Sequence, residues 1–337
     1  MIKVDLITGF LGSGKTTFIT EYARFFVEAG KKVAIIVNDH GAINVDRLLL
    51  EQQLGDSCHI EMVIGGDKDC ARRRLKTKLI AMAMEKYDQV LVEPSGVFDV
   101  DDFMDLLYEE PLERWYEMGN ILTIVEENIF AQEESLSDAV KYFLVSQISR
   151  AGCVIISKAH EYNEDMILSK INSLLLDCKC NRKIKKVYIW NKGKISSDDF
   201  TSLIRSGYSS GDMIKTSGSE EERFDSLFYF HVKTPIKRLP ETIKRIFEDE
   251  NTGNVIRLKG FIRDDNGYDS DDNQEIKWLE VNATASDIQI SPTSAGQELF
   301  IVIGEKLNEE KIGSYWEEYR NSVNSYSFMR CGLKSFF

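Results

Sequence analysis

KVDLIT (3–8) running into GFLGSGKT (9–16) is the stretch that decides the fold. KVDLIT is short, apolar and β-branched, and reads as a buried strand. GFLGSGKT has the form G-x-x-x-x-G-K-[ST] and lies between that strand and an amphipathic segment at 15–29. Gly9, Gly12 and Gly14 let the main chain curl until its N–H groups point at phosphate oxygens. Lys15 offers a point charge to the outer phosphates, and the Thr16 hydroxyl is placed to ligate Mg²⁺. The start of the following helix favours an anion through its dipole. Gly12, Ser13, Gly14, Lys15, Thr16 and Thr17 are therefore the expected nucleotide-binding residues.

The same alternation of strand and helix continues outward. KVAIIVN (32–38), HIEMVI (59–64), QVLVE (89–93), ILTIVE (121–126), CVIIS (153–157) and KVYIW (186–190) read as strands buried on both faces. Amphipathic segments at 71–86, 135–150 and 164–176 lie between them. This predicts an α/β fold with a doubly wound, mostly parallel sheet, of the phosphate-loop nucleoside-triphosphatase kind. QVLVEPSG (89–96) adds Glu93 at a strand end, to orient Mg²⁺ or the attacking water. Gly96 follows it, with an N–H that can sense a third phosphate.

After about residue 206 the texture changes. The expected division is a nucleotide-binding domain at 1–206, a Gly/Ser-rich linker at 207–226, a smaller α+β domain at 227–313 and an aromatic-rich tail at 314–337. The second domain reads β-α-β-β-α-β, with strands at 227–233, 254–263, 275–282 and 298–304 and a helical or irregular stretch before the last strand. DDNGYDSDDNQE between its middle strands reads as a solvated hairpin loop, because its acids lack calcium-loop spacing. Trp316, Tyr319, Tyr326, Phe328, Phe336 and Phe337 in the tail predict packing against a domain or partner.

The 337 residues carry 42 Lys plus Arg and 55 Asp plus Glu, a net charge of −13. That balance argues against general nucleic-acid binding. No apolar run approaches the roughly 18 residues of a membrane span. Six cysteines, at 58, 70, 153, 178, 180 and 331, and an N-terminus without leader character predict a cytoplasmic protein with free thiols. Cys178 and Cys180, His231 and His40 are weaker ligand candidates, and His231 reads as a satisfied strand residue.

GFLGSGKTTFI resembles the CobW-like metal-trafficking GTPases, relatives of UreG and HypB. NDHGAINVD (38–46) looks like the N-E-F-G-E-x-x-x-D segment of that family, and EPSGVFD (93–99) is similar to its E-T-[ST]-G-x-x-D. Gln147 and Ala151 precede CVIISK as they do in the family. IRLKGFI (256–262) and LFIVIG (299–304) resemble two signatures of its second domain. The resemblance implies Mg²⁺-dependent GTP binding, slow hydrolysis, and delivery of a metal or metallocofactor to a client metalloprotein or cofactor enzyme. It also implies a homodimer, with Asp39 or Glu93 as second magnesium ligand or water-positioning group.

Two motifs depart from the family. Its base-reading N-K-x-D stands here as Ser157-Lys158-Ala159-His160. Lys158 keeps a stem to lie along the base, but His160 offers no bidentate carboxylate to guanine, so ATP or relaxed use is an alternative. Glu161 stands one residue further on as a substitute acceptor. The family's C-x-C-C stands as Asp67-Lys68-Asp69-Cys70. Asp67, Asp69 and Cys70, with Asp39 approaching, form a harder ligand set for zinc or cobalt than three thiolates. Two other readings stay open: a loop that only couples nucleotide state to a partner, and a helix cap. Arg72, Arg73 and Arg74 would oppose a cation or hold an acidic partner. The runner-up function is a nucleotide-binding regulatory or adaptor protein that has lost metal transfer.

Overall fold

The strand KVDLIT stands at the centre of its sheet. A computed structural model describes residues 1–39, 45–64, 68–96, 98–130, 136–159, 163–190, 195–209, 225–263, 278–293, 296 and 298–321. The chain divides into two compact units, Met1–Gly218 and Ser219–Phe337.

In the first unit, β1 (Ile2–Gly9) leads through the glycine loop into α1 (Lys15–Glu28). Then come β2 (Val33–Asp39), α2 (Val45–Leu54), β3 (His59–Ile64), α3 (Lys68–Met84), β4 (Gln89–Glu93) and α4 (Val100–Leu107). They are followed by β5 (Tyr116–Glu126), α5 (Asp138–Arg150), β6 (Cys153–Ser157), α6 (Glu164–Asp177), β7 (Tyr188–Trp190) and α7 (Ser197–Leu203). The seven-stranded sheet has the order β3-β2-β4-β1-β5-β6-β7. Each registered pair in it is parallel. The expected doubly wound sheet is therefore present.

Alternation along each strand feeds two cores, as the period of two requires. Ile7, Ile35 and Leu91 pack with Phe18, Ile19 and Tyr22 of α1 and Phe200 of α7 on one face. Leu6, Ile36 and Val92 pack with Leu75 and Leu79 of α3 and Phe103 of α4 on the other. One carboxylate lies inside this packing. Asp5 is 1% exposed and accepts from Tyr22 O–H at 2.7 Å, Asn120 N at 2.7 Å and Asn120 Nδ2 at 3.1 Å. Burial pushes its carboxyl above the ordinary range, and these hydrogen bonds only partly oppose that.

The second unit holds β8 (Asp225–Lys233), α8 (Leu239–Glu248), β9 (Asn254–Arg263), β10 (Trp278–Thr284) and β11 (Ile288–Thr293). It continues with β12 (Leu299–Glu305), α9 (Glu309–Gly313) and β13 (Glu318–Asn321). They form an antiparallel sheet of order β11-β10-β9-β12-β8-β13. Leu239, Ile243 and Ile246 of α8 cover one face of it. The stretch before β12, expected to be helical or irregular, instead supplies strand β11. β11 is an edge strand, where Pro292 withholds no ladder donor that matters. Trp316 and Tyr319, the start of the aromatic tail, pack inside this unit: Trp316 stacks on Phe300 with ring centres 5.2 Å apart. The acidic loop at 264–277 and the tail from 322 on lie outside the described residues. Among the described residues, no helix is long and apolar enough to cross a membrane.

Candidate functional site

A parallel sheet delivers the last residue of every strand to one edge, and ligands of such folds bind there. For β1 to β7 those residues are Gly9, Asp39, Ile64, Glu93, Glu126, Ser157 and Trp190. The glycine loop curls over the middle of that edge. Gly14, at φ +95°, caps α1 in a left-handed conformation that suits glycine, and its carbonyl accepts from Phe18 N at 3.0 Å. Lys15 is 5% exposed, and its Nζ donates to the carbonyls of Gly9 at 2.9 Å and Phe10 at 3.1 Å. A buried ammonium needs such partners, and these hold the loop curled. Thr17 is exposed on α1.

The Thr16 hydroxyl donates to Glu93 Oε1 at 2.9 Å, and Glu93 is 3% exposed at the end of β4. Gly96 comes next. A Cβ there would stand 2.7 Å from both Leu11 N and Leu11 Cδ2, so the Gly96 backbone lies directly against the phosphate loop. From α5, Gln147 Nε2 donates to Gly96 O at 3.1 Å and to Phe98 O at 3.4 Å.

On the other side of β1, Ser157 Oγ donates to Ser13 O at 2.7 Å. Ser157, expected at the base, thus has its hydroxyl on the phosphate loop. Lys158 takes φ +55°, and its Nζ lies 3.1 Å from Glu126 Oε2, with the two side chains 14% and 10% exposed. Trp190 stands edge-on to Phe18 with ring centres 5.5 Å apart, and its ring passes 3.5 Å from where a Gly14 Cβ would be. Glu126 and Trp190 carried no motif in the sequence. Their one signal was position, as the last residues of apolar runs.

His40, Asp67, His160 and Glu161 lie outside the described residues, as do the side chains of Asp39 and Asp69. The backbone of Asp39 ends β2 opposite Ile64, two residues past the pairing of Val37 with Glu93. Cys70 lies in the first turn of α3, where Arg73 Nη2 approaches its Sγ at 3.7 Å. Arg72 is turned to Asp102 O at 2.7 Å and to Glu109 at 2.5 Å, and Lys76 also reaches Glu109, at 2.6 Å. Lys76 and Arg72 together hold the Glu109 carboxyl below its ordinary range.

The five described cysteines are free thiols. Burial pushes Cys58 and Cys153 up to about 11, and raises Cys178, which makes them reluctant thiolates. His231 Nδ1 lies 2.9 Å from Glu298 Oε2. Among the described residues, no group of three or more His, Cys, Asp or Glu side chains is placed to hold a metal ion.

The fold and the loop at its central strand place this chain among the phosphate-loop nucleotide-binding proteins. More narrowly, it belongs to the CobW/HypB/UreG family, whose nucleotide-binding domain model matches residues 3–186. The zinc chaperone YeiR of Escherichia coli is 31% identical over 141 residues, 41% of this chain and 42% of that protein. The zinc-regulated GTPase metalloprotein activator 1 of Schizosaccharomyces pombe is 26% identical over 196 residues, 54% of this chain and 45% of that protein. The chain thus matches less than half the length of either relative. A crystal structure of the Zn(II)-bound YjiA GTPase from E. coli aligns with a TM-score of 0.39 at 16% identity, covering 93% of this chain and 97% of that one.

Proposed function

We propose that this chain binds a purine nucleoside triphosphate, GTP first, with Mg²⁺ at the loop 9–16 and hydrolyses it slowly. In this reading, hydrolysis is coupled to handing a transition metal or metallocofactor to a client protein. The observation that carries the reading is the Thr16–Glu93 contact of 2.9 Å beside the buried Lys15. A hydroxyl and a carboxylate are hard oxygen donors of the kind Mg²⁺ selects, so the donor set fits the ion. Bound there, Mg²⁺ would neutralise charge on the outer phosphates. Lys15 would exchange its loop carbonyls for phosphate oxygens. Glu93, with Asp39, would orient the ion or the attacking water. Ser13 Oγ is buried and lacks a hydrogen-bond partner among the described residues, which leaves a spare donor in the turn of the loop.

Relatives named as zinc chaperones and as a zinc-regulated GTPase activator support the metal half of the reading. Asp39, Asp67, Asp69 and Cys70 are the proposed ligands for zinc or cobalt. The client metalloprotein and a homodimeric assembly are further parts of the proposal. Calorimetric titration of GTP, GDP, ATP and ADP with Mg²⁺ tests the nucleotide half. We expect binding that Lys15→Ala abolishes, and equal binding by that variant sinks the reading.

A second reading, an adaptor without metal transfer, is favoured by the guanidinium of Arg73 at Cys70 Sγ. A cation beside the thiol competes with any metal there. Zinc titration decides between the two: sub-micromolar binding lost in Cys70→Ser/Asp67→Ala removes the adaptor, and no such binding removes the metal carrier.

A further inference from the structure

α5 does more than cover the sheet. Gln147, 0% exposed, is fixed from behind: Thr8 Oγ1 and Thr123 Oγ1 lie 2.7 Å apart, and Thr123 Oγ1 donates to Gln147 O at 3.0 Å. Thr8 immediately precedes Gly9, so the base of the phosphate loop and the backbone of Gln147 share one chain of buried hydroxyls. In front, the Gln147 amide donates to the carbonyls of Gly96 and Phe98.

The rest of the same helix grips the next few residues of that segment. Tyr142 O–H lies 3.4 Å from Asp99 Oδ2, Ser146 Oγ 3.5 Å from Asp99 Oδ1, and Arg150 Nε 2.7 Å from Asp101 Oδ1. Asp99 caps α4. Gly96 therefore lies against the phosphate loop at Leu11, and Gly96, Phe98, Asp99 and Asp101 are all held by one face of α5.

The cost of the arrangement shows what it is for. Gln147 Oε1 is buried and lacks a hydrogen-bond partner among the described residues. Such an acceptor is unfavourable, and an apolar side chain of the same length would avoid it. What the amide adds is two directed N–H donors on the peptide groups around Gly96.

We propose that Gln147 is a positioning residue that sets the Gly96 segment to sense the third phosphate of the bound nucleotide. This rests on the reading of loop 9–16 as a triphosphate site. The loop, Lys15 and Thr16 would hold a diphosphate, whereas the Gln147 amide donates to the carbonyls of Gly96 and Phe98. Removing the amide donors should therefore act on the triphosphate alone.

The test compares the full-length parent with Gln147→Met, which keeps the length and loses the donors. Titrations use GDP and the β,γ-imido analogue of GTP, both with Mg²⁺. The expected result is a loss of about tenfold in triphosphate affinity, with diphosphate affinity unchanged within about twofold. An unchanged ratio of the two affinities overturns the proposal. So does a parallel fall in both, which is what a merely structural residue gives. If Gln147→Met does not fold, amide exchange of the parent over 93–99 replaces it: slower exchange with the triphosphate analogue than with GDP is expected, and equal protection overturns the proposal. A parent that binds neither nucleotide fails the triphosphate reading itself, and is thereby told apart from a failure of the role of Gln147.

Discussion

Ser157 Oγ donates to the main-chain oxygen of Ser13 across 2.7 Å, tying the end of β6 to the turn of the phosphate loop. Ser157 is 2% exposed, so the bond is shielded from water. The bond ties Ser157 to the loop itself. We predict that Ser157→Ala weakens GTP and ATP binding by the same factor, about 1 kcal/mol for one lost buried hydrogen bond. Parallel titrations of both nucleotides check this, and a shift in their ratio contradicts it.

Thr16 and Glu93 meet from a helix start and a strand end that are 77 residues apart in sequence. If that pair seats Mg²⁺, Thr16→Val should leave the fold intact and remove the dependence of nucleotide affinity on Mg²⁺. Turnover should fall about a hundredfold, in the range typical of mispositioned catalytic groups. Phosphate release measured with and without EDTA reports both effects. A variant that still responds to Mg²⁺ as the parent does places the ion elsewhere.

The first unit was legible because strands buried on both faces leave continuous apolar runs, and because a glycine loop with Lys15 and Thr16 is a local pattern. Its parallel pairing could be inferred, since helical segments between the runs supply the crossovers that parallel strands need, whereas the strand order could not. β11 and β13 were not legible. IQISPT contains a proline and EYRN is short and polar, and both are edge strands whose pairing comes from neighbours instead of their own composition. In the site, residues that act through a motif were legible. Ser157, Glu126 and Gln147 work through side-chain bonds to atoms distant in sequence, and no local spacing encodes that Gln147 will meet Gly96. The family resemblance marks Gln147 without giving it a task.

Gly96 packs so closely on Leu11 that any side chain there displaces one loop from the other. We predict that Gly96→Ala keeps GDP affinity within a few-fold while slowing turnover by about two orders of magnitude, because a shift of about 1 Å at a reacting centre costs that much. Single-turnover hydrolysis beside GDP titration separates the two quantities. Equal turnover in the variant means the Gly96 segment does not take part in the reaction.

Asp5 supplies a pH prediction whose sign is set by its burial. Its carboxyl is raised above the ordinary 3.8 because burial disfavours the charged form. The folded chain therefore holds this proton more tightly than the unfolded chain does. The stability this confers is complete below about pH 3.8 and is lost as pH rises through the raised value. Asp5→Asn cannot titrate, and its side-chain oxygen can still accept from Asn120 N and Nδ2, which now meet Asp5 Oδ1. The amide then faces the Tyr22 oxygen, which can turn its own proton away and accept. Other titrating groups are common to both chains and cancel in the difference. Urea unfolding of both, at intervals from pH 4 to pH 8, should show the stability of the Asn variant relative to the parent climbing with pH and then levelling. A difference that is flat or falls with pH would mean that the Tyr22 and Asn120 hydrogen bonds outweigh the desolvation of Asp5.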